Sequence, residues 1–360
     1  MQSVTILKRK YRELSGAIHN HSCFSYDCDI CLDTILKAAH KHRLDYFTLN
    51  DHQAVVDQET LEKSLERFRT EKAYLPFVFG GSELNDPDDR HHLLVFESAL
   101  PADNLPVEEY IERVREEKGF LFAAHPFEKR VCKDYPLYIW DKTELLEKVD
   151  GLEIWNFSSS WLSKLHPRRN GFLLLFFPGW YVRNPFPENL KLWDDLNRKG
   201  KRISAIGSTD AHGTRHQLLF IKFRILTHNY LFRTIRTNVL LSEEIVPSKN
   251  NILQALKRGN SYIVNYRQGY PYRFYAGIGN RTGKGVSFGE EIKWEKGLEF
   301  FYNLPHPATV KLIKDGIMIK KEKRKCGSFP IASPGFYRLQ VERLGAAWII
   351  TNNIYVVSPD

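Results

Sequence analysis

The sequence predicts an α/β fold with a parallel sheet to about residue 268, followed by an all-β segment. Two patterns predict this. Up to Asn265, short apolar runs alternate with amphipathic stretches, the rhythm of βαβ units and a parallel sheet. After Asn265, apolar runs such as Leu298–Tyr302, Val310–Ile313 and Phe336–Val341 alternate with turn residues, the pattern of a small sandwich-like β domain. The expected division is 1–268 and 269–360. A chain of 360 residues suits two domains, or one large α/β barrel with an appendage, and its 42% hydrophobic content provides a core.

The elements follow in order. Leu32, Ile35, Leu36 and Ala39 fall at i, i+3, i+4 and i+7, one helical face, with Asp29 as an available cap. Tyr46–Leu49 reads as a strand ending in Asn50-Asp51-His52. Leu61, Leu65 and Phe68 mark a charged helix. Leu75–Phe79 reads as a strand ending in Gly80-Gly81-Ser82-Glu83, and His91-His92 opens the next, Leu93–Phe96. A helix near Val107, Ile111 and Val114 leads to Phe120–Ala124 and then His125-Pro126. A helix through Leu145, Leu146 and Val149 precedes Gly151–Asn156, and a helix over Leu190–Leu196 precedes Ile203–Gly207 and Asp210-Ala211-His212. Residues 157–189 break the rhythm as a long loop that could cover the site. Lys314-Asp315-Gly316 signals a hairpin, and Lys320–Lys325 reads as a solvated hairpin loop.

Composition excludes several classes. No 20- to 50-residue repeat is present. Met1–Lys8 lacks the apolar core of a signal peptide, and the most apolar run, Phe172–Phe177, is too short to span a bilayer. A cytoplasmic protein with no membrane partner is expected. Five cysteines, Cys23, Cys28, Cys31, Cys132 and Cys326, argue against a disulfide framework, and Cys28-x-x-Cys31 has no second pair to complete a zinc ribbon. The net charge is +9, and residues 269–360 carry 14 Lys and Arg against 8 Asp and Glu. A basic chain favours anionic partners. With no aromatic-basic stacking surface, nucleic acid is an unlikely partner.

The chemistry gathers at strand ends, where closed parallel barrels carry it. In an extended strand, side chains at i and i+2 share a face, so His19 and His21 would present two imidazoles to one point. His52, Glu83, His125, Asp210 and His212 occupy equivalent ends. With Asp27 and His92 they form a set of imidazoles and carboxylates suited to Zn, Mn or Fe. Nine donors exceed the capacity of one ion and suit two or three divalent ions, with Glu83 as the natural bridge. Metal-bound water has a pKa of about 7 on zinc, and two ions roughly 3.5–4 Å apart can hold a hydroxide and phosphoryl oxygens together.

His19-x-His21, Asp51-His52, Glu83, His125-Pro126 and Asp210-x-His212, in that order over about residues 14–265, resemble the PHP (polymerase and histidinol phosphatase) superfamily. The resemblance implies a distorted seven-stranded β/α barrel with a di- or trinuclear metal centre. It implies metal ligation by His19, His21, His52, Glu83, His92, His125, Asp210 and His212. Asp27 takes a position the family often fills with histidine or aspartate. His92 is chosen over His91 because it directly precedes the apolar strand. Asn50 stands where many members have threonine. The C-terminal part, with Gly259-Asn260-Ser261-Tyr262 and Trp348…Asn353-Ile354-Tyr355-Val356, resembles the branch containing carbaryl hydrolase.

The favoured function is a phosphoesterase for a small anionic substrate, with Asn156, Arg168 and Arg183 as substrate contacts. An ester, amide or carbamate hydrolase, favoured by Trp161, Trp180 and Tyr181, is the alternative, and a non-catalytic or nucleic-acid role is the third. Asp51 is expected to orient His52 without ligating, and His212 is a candidate proton donor to the leaving group. Substrate identity and oligomeric state are not fixed by the sequence.

Overall fold

The computed structural model describes every residue except 53–55, 57, 70–74, 219, 281 and 360. Strands β1 (Gln2–Ile6) and β2 (Arg9–Ala17) form a hairpin. The end of β2 runs parallel to β3 (Tyr46–His52), and β3 runs parallel to β4 (Phe77–Asn85) from Tyr46 opposite Phe77 to His52 opposite Glu83. β5 (His92–Phe96) is antiparallel to both β4 and β6 (Phe120–Ala123). β7 (Gly151–Asn156) and β8 (Ser204–Ser208) restore the parallel direction. The segment after β8 returns to the segment after β2: Thr209 N donates to Ile18 O at 3.1 Å and His21 N to Ala211 O at 3.0 Å. Every residue of β3, β5, β6, β7 and β8 is buried. Strands covered on both faces favour near-continuous apolar runs, which is how Leu93–Phe96 and Phe120–Ala123 read in sequence.

Helices α1 (Leu32–Lys41), α2 (Gln58–Arg69) and α3 (Val107–Glu116) connect these strands. The predicted stripe Leu32, Ile35, Leu36 and Ala39 is the buried face of α1. Four local expectations change. Asp29 does not cap α1: its carboxylate pairs with Arg215 and Arg224, and Cys31 stands at the N-cap without a side-chain bond. The strand expected to end in Gly80–Glu83 runs on to Asn85 as β4; a Cβ at Gly81 would fall 2.5 Å from Val95 O. Leu145 and Leu146 lie on a 3₁₀ turn, Thr143–Lys148. Residues 157–189 are not a loop. They fold as α4 (Phe157–Leu162), α5 (Pro167–Phe176), α6 (Pro178–Tyr181) and the start of α7 (Pro187–Arg198), with prolines at the first turns of α5, α6 and α7, where a missing N–H costs nothing.

Beyond β8 come the hairpin β9 (Arg215–Leu218) and β10 (Ile221–Arg224), α8 (His228–Leu231), β11 (Ile235–Ser242), α9 (Lys249–Arg258) and β12 (Ser261–Asn265). Gly259, at φ 73°, closes α9 in the left-handed conformation that glycine adopts without a Cβ clash. Strands β13 (Tyr275–Gly279), β14 (Gly285–Val286), β15 (Glu291–Lys293), β16 (Glu299–Lys314), β17 (Ile317–Pro330), β18 (Gly335–Arg343), β19 (Ala346–Thr351) and β20 (Ile354–Val357) follow. β16 pairs with β13, β17 and β18. Lys320–Lys325 lies on β17, not in a loop; that strand is almost wholly exposed, and edge lysines discourage strand addition.

The two halves are joined. β12 pairs with β19, and Val4, Tyr11, Tyr262 and Val264 pack into one core with Phe274, Phe300 and Trp348. Across the same junction the buried Arg338 guanidinium on β18 makes a two-point ion pair with Asp194 on α7 and lies 4.6 Å from the Trp193 ring centroid. Removing one partner strands a buried charge, which costs about 3–5 kcal/mol. Asp194→Ala is therefore expected to lower the unfolding free energy, measured by urea denaturation, by that amount, and Asp194→Ala/Arg338→Met to recover most of it.

Glu13 on β2 is buried; one carboxyl oxygen accepts from Tyr262 and Asn238, and the other has no partner among the described residues. Burial pushes its pKa up to about 7, against the lowering effect of the two donors. The folded chain thus holds a proton that the unfolded chain releases near pH 4.5. Stability falls as pH rises from about 4.5 to 7, by on the order of 3 kcal/mol from this group. Glu13→Gln should flatten that part of the pH–stability curve, measured by urea unfolding at intervals across the window.

Candidate metal centre

Glu83, near the end of β4, sits inside a ring of imidazoles. Its Oε2 lies 2.9 Å from His19 Nε2, 3.2 Å from His21 Nε2 and 3.4 Å from His52 Nε2. Its Oε1 lies 2.9 Å from His92 Nδ1 and 3.2 Å from His125 Nε2. Asp210 Oδ1 is 3.5 Å from His19 Nε2 and 3.6 Å from His21 Nε2. Asp27 Oδ2 is 2.8 Å from His212 Nε2 and 3.7 Å from His52 Nε2. Donors about 2.0–2.1 Å from a shared zinc ion stand about 3.0–3.4 Å apart, so these spacings resemble those of a coordination shell.

Three groups have donor atoms close enough to hold an ion: His21, Asp27, His52 and His212; His19, His21 and Asp210; and Glu83, His92 and His125. The donor set fits divalent transition ions. So does His21 Nε2, which is buried and makes no hydrogen bond among the described residues.

The local backbone explains the convergence. His19 and His21 lie beyond the end of β2, not within an extended strand. His19 has φ 62°, and His125 and Asp210 have φ 26° and 52°. Such conformations cost about 1–3 kcal/mol each and persist only where surroundings hold them. His19 N donates to Thr48 Oγ1, and His125 N to Glu153 Oε2 at 2.7 Å. His228 donates from Nε2 to His21 O at 2.9 Å; burial pushes its pKa down to about 3, keeping it neutral.

Burial opposes ionisation of Glu83, but His19, His52 and the other facing imidazoles hold its carboxyl well below the usual range. Burial likewise opposes protonation of His21 and His92, yet facing carboxylates push them up to about 9 and about 10. A bound dication would replace those protons as the counter-charge. His52 is pushed down to about 4 by burial, with His21 and His92 adding to it.

The nine proposed ligands thus come together, and other expectations shift. His92 faces Glu83, whereas His91 points away to Asp86 and Asp141. Asp51 accepts from Ser22 N and Oγ, so it braces the residue after His21 instead of orienting His52. Asn156 donates to Glu153 and Asp210, bracing carboxylates. Arg183 donates to Leu344 O, and Arg168 is exposed on α5; neither lines the cavity.

Glu153 escaped the sequence reading. It is fully buried in β7 and accepts from His19 Nδ1 at 2.9 Å, leaving Nε2 free to ligate. Its signal was a carboxylate inside the apolar run Leu152-Glu153-Ile154. Asp89, 3.0 Å from His92 Nε2, was also missed.

The cluster floors a cavity of about 590 Å³. Its other wall includes Trp161, Leu162, Leu165, Leu175, Phe223 and Ile225. Among the described lining residues the one Lys or Arg is Arg130, and it is tied to Glu128 and the Pro136 carbonyl.

No protein-family model matches the chain, and no curated protein does. Among solved structures, a two-domain protein from Bacteroides vulgatus ATCC 8482, named as containing a predicted PHP-like metal-dependent phosphoesterase, is similar at 15% identity over 95% of each chain, with a TM-score of 0.47. A provisionally assigned metal-dependent phosphoesterase from Bifidobacterium adolescentis ATCC 15703 is similar at 13% identity, covering 67% of this chain and 95% of its own, with a TM-score of 0.40. Likenesses this distant leave function to be argued from the side chains.

Carboxylates that orient ligating imidazoles are worth about 10- to 100-fold in metal affinity. Glu153→Gln is expected to weaken metal retention by that factor, read by competition with a chelator.

Proposed function

We propose that this chain is a metal-dependent hydrolase of the PHP superfamily, acting as a phosphoesterase on a small substrate. In this reading β2 to β8 form a distorted seven-stranded β/α barrel, and residues 269–360 form a β-sandwich-like domain. The supporting observation is the Glu83 carboxylate, whose two oxygens face two separate sets of imidazoles. His19, His21, Asp27, His52, Glu83, His92, His125, Asp210 and His212 would hold two or three divalent ions. Ions there would supply Lewis acidity and an activated water. The chain's own residues orient the donors: Glu153 holds His19, Asn156 holds Asp210, and His228 holds the His21 backbone. His212, 22% exposed at its side chain and lining the cavity, is the candidate proton donor of this reading if it does not ligate.

An ester or carbamate hydrolase is the second reading. The apolar wall around Trp161 favours it, as does the lack of an unpaired cation among the described lining residues. A panel of phosphate mono- and diesters beside aryl carbamates and carboxylic esters, run on protein of measured metal content, separates the two.

Purified protein is expected to carry two to three equivalents of transition metal. Glu83→Gln keeps the size and removes the charge that offsets repulsion between dications. It should lower both metal occupancy and turnover and resist rescue by added metal, whereas His21→Ala should lose mainly one ion and regain some turnover in excess metal. Metal titration with turnover on both variants checks this; full stoichiometry and near-normal turnover in Glu83→Gln would remove the bridging role.

A further inference from the structure

Helix α5 is apolar on two faces. Leu174 is fully buried, and Gly171 and Leu175 line the cavity. The opposite face carries Arg168, Phe172 and Phe176 at i, i+4 and i+8, with Arg169 and Leu173 beside them, so all five share one side of the helix. Phe172 is 71% exposed and Phe176 59%; Trp180 on α6 is 64% exposed and stacks on the half-open Phe177. A surface helix normally exposes a polar face, and one that is apolar all round calls for a cover.

Charge identifies that cover. Residues 157–187 contain Lys164, Arg168, Arg169 and Arg183 and no Asp or Glu. Arg168 and Arg169 are exposed at the start of the apolar face, and neither forms an ion pair among the described residues. Exposed phenylalanine and tryptophan beside arginine, with no facing carboxylate, is the composition of a helix that lies in a lipid interface. The six-residue run Phe172–Phe177 is too short to cross a bilayer, and no helix of the described residues is long and apolar enough to cross. Lying flat requires only one face.

We propose that the α5–α6 face docks on an anionic lipid surface, with Phe172, Phe176 and Trp180 entering the acyl boundary and Arg168 and Arg169 meeting headgroup anions. Pro167, Gly171 and Leu175 of the same helix line the cavity, so the docking helix is also a wall of the candidate site.

The test is vesicle flotation of the whole chain, which needs no turnover and so stands apart from the reading of the metal centre. Wild-type protein is expected to float with phosphatidylcholine vesicles containing phosphatidylglycerol, and not with phosphatidylcholine alone. Phe172→Ser/Phe176→Ser/Trp180→Ser and Arg168→Glu/Arg169→Glu alter exposed side chains; each should bind at least about tenfold more weakly, with the wild-type melting temperature and metal content confirming the fold. Failure of the wild type to float with either vesicle would overturn the proposal, as would undiminished binding by the triple serine variant. A wild-type dimer that the triple variant dissociates, without vesicle binding, would assign the face to a second copy of the chain and overturn it equally.

Discussion

The structure depends on one buried carboxylate. Glu83 is 2% exposed, and its charge faces five imidazoles from four segments of the chain. An isolated carboxylate at that depth would take up a proton. Here it remains an anion because the surrounding donors carry or exchange positive charge. Its position follows from the β3–β4 register, which sets Glu83 opposite His52; a slip of one residue would turn it to the other face of the sheet. The left-handed residues His19, His125 and Asp210 reach the same point only by leaving regular strand geometry. The surrounding hydrogen bonds of Thr48 and Glu153 hold two of them there.

Sequence carried the ligands further than the framework. His52, Glu83 and His125 could be read because each stands in or just after an apolar run, and that position survives small errors in the strand boundaries. Glu83 illustrates this: the strand expected to end there continues to Asn85, and Gly81 is needed within it because Val95 and Phe96 leave no room for a side chain. Glu153 was hidden for the opposite reason. It lies in mid-strand, where polar residues are ordinarily absent, and its partner His19 is 134 positions away. Long-range partners of this kind have no local period. Asp51 shows the limit of alternation as a guide: it faces away from the donors as strand geometry requires, but its partner, Ser22, could not be named from spacing.

The same limit applies between the halves. The change of pattern near Asn265 is real in sequence, because helices give way to hairpins. The boundary it suggests is nevertheless crossed by the β12–β19 ladder, by a mixed core and by the Arg338–Asp194 pair. The N-terminal hairpin contributes Val4, Ile6 and Tyr11 to that core, so residues from both ends of the chain are buried together. Apolar strands without a helical cover must bury their faces against something, and here each half supplies part of the other's cover.

The donor groups are also not independent. His21 belongs to two of the three, and Glu83 of the third group faces His19 and His21 of the other two across its second oxygen. An imidazole nitrogen has one lone pair, so His21 Nε2 can serve one ion at a time and its other neighbour must complete its shell elsewhere. Charge compounds this coupling. In the proposed centre, a dication bound there would displace protons from His21 or His92, which facing carboxylates favour in its absence. Loading of one group therefore alters both the donor geometry and the proton occupancy of the next. That linkage follows from two shared side chains, His21 and Glu83, and makes the cluster a single electrostatic unit instead of three adjacent sites.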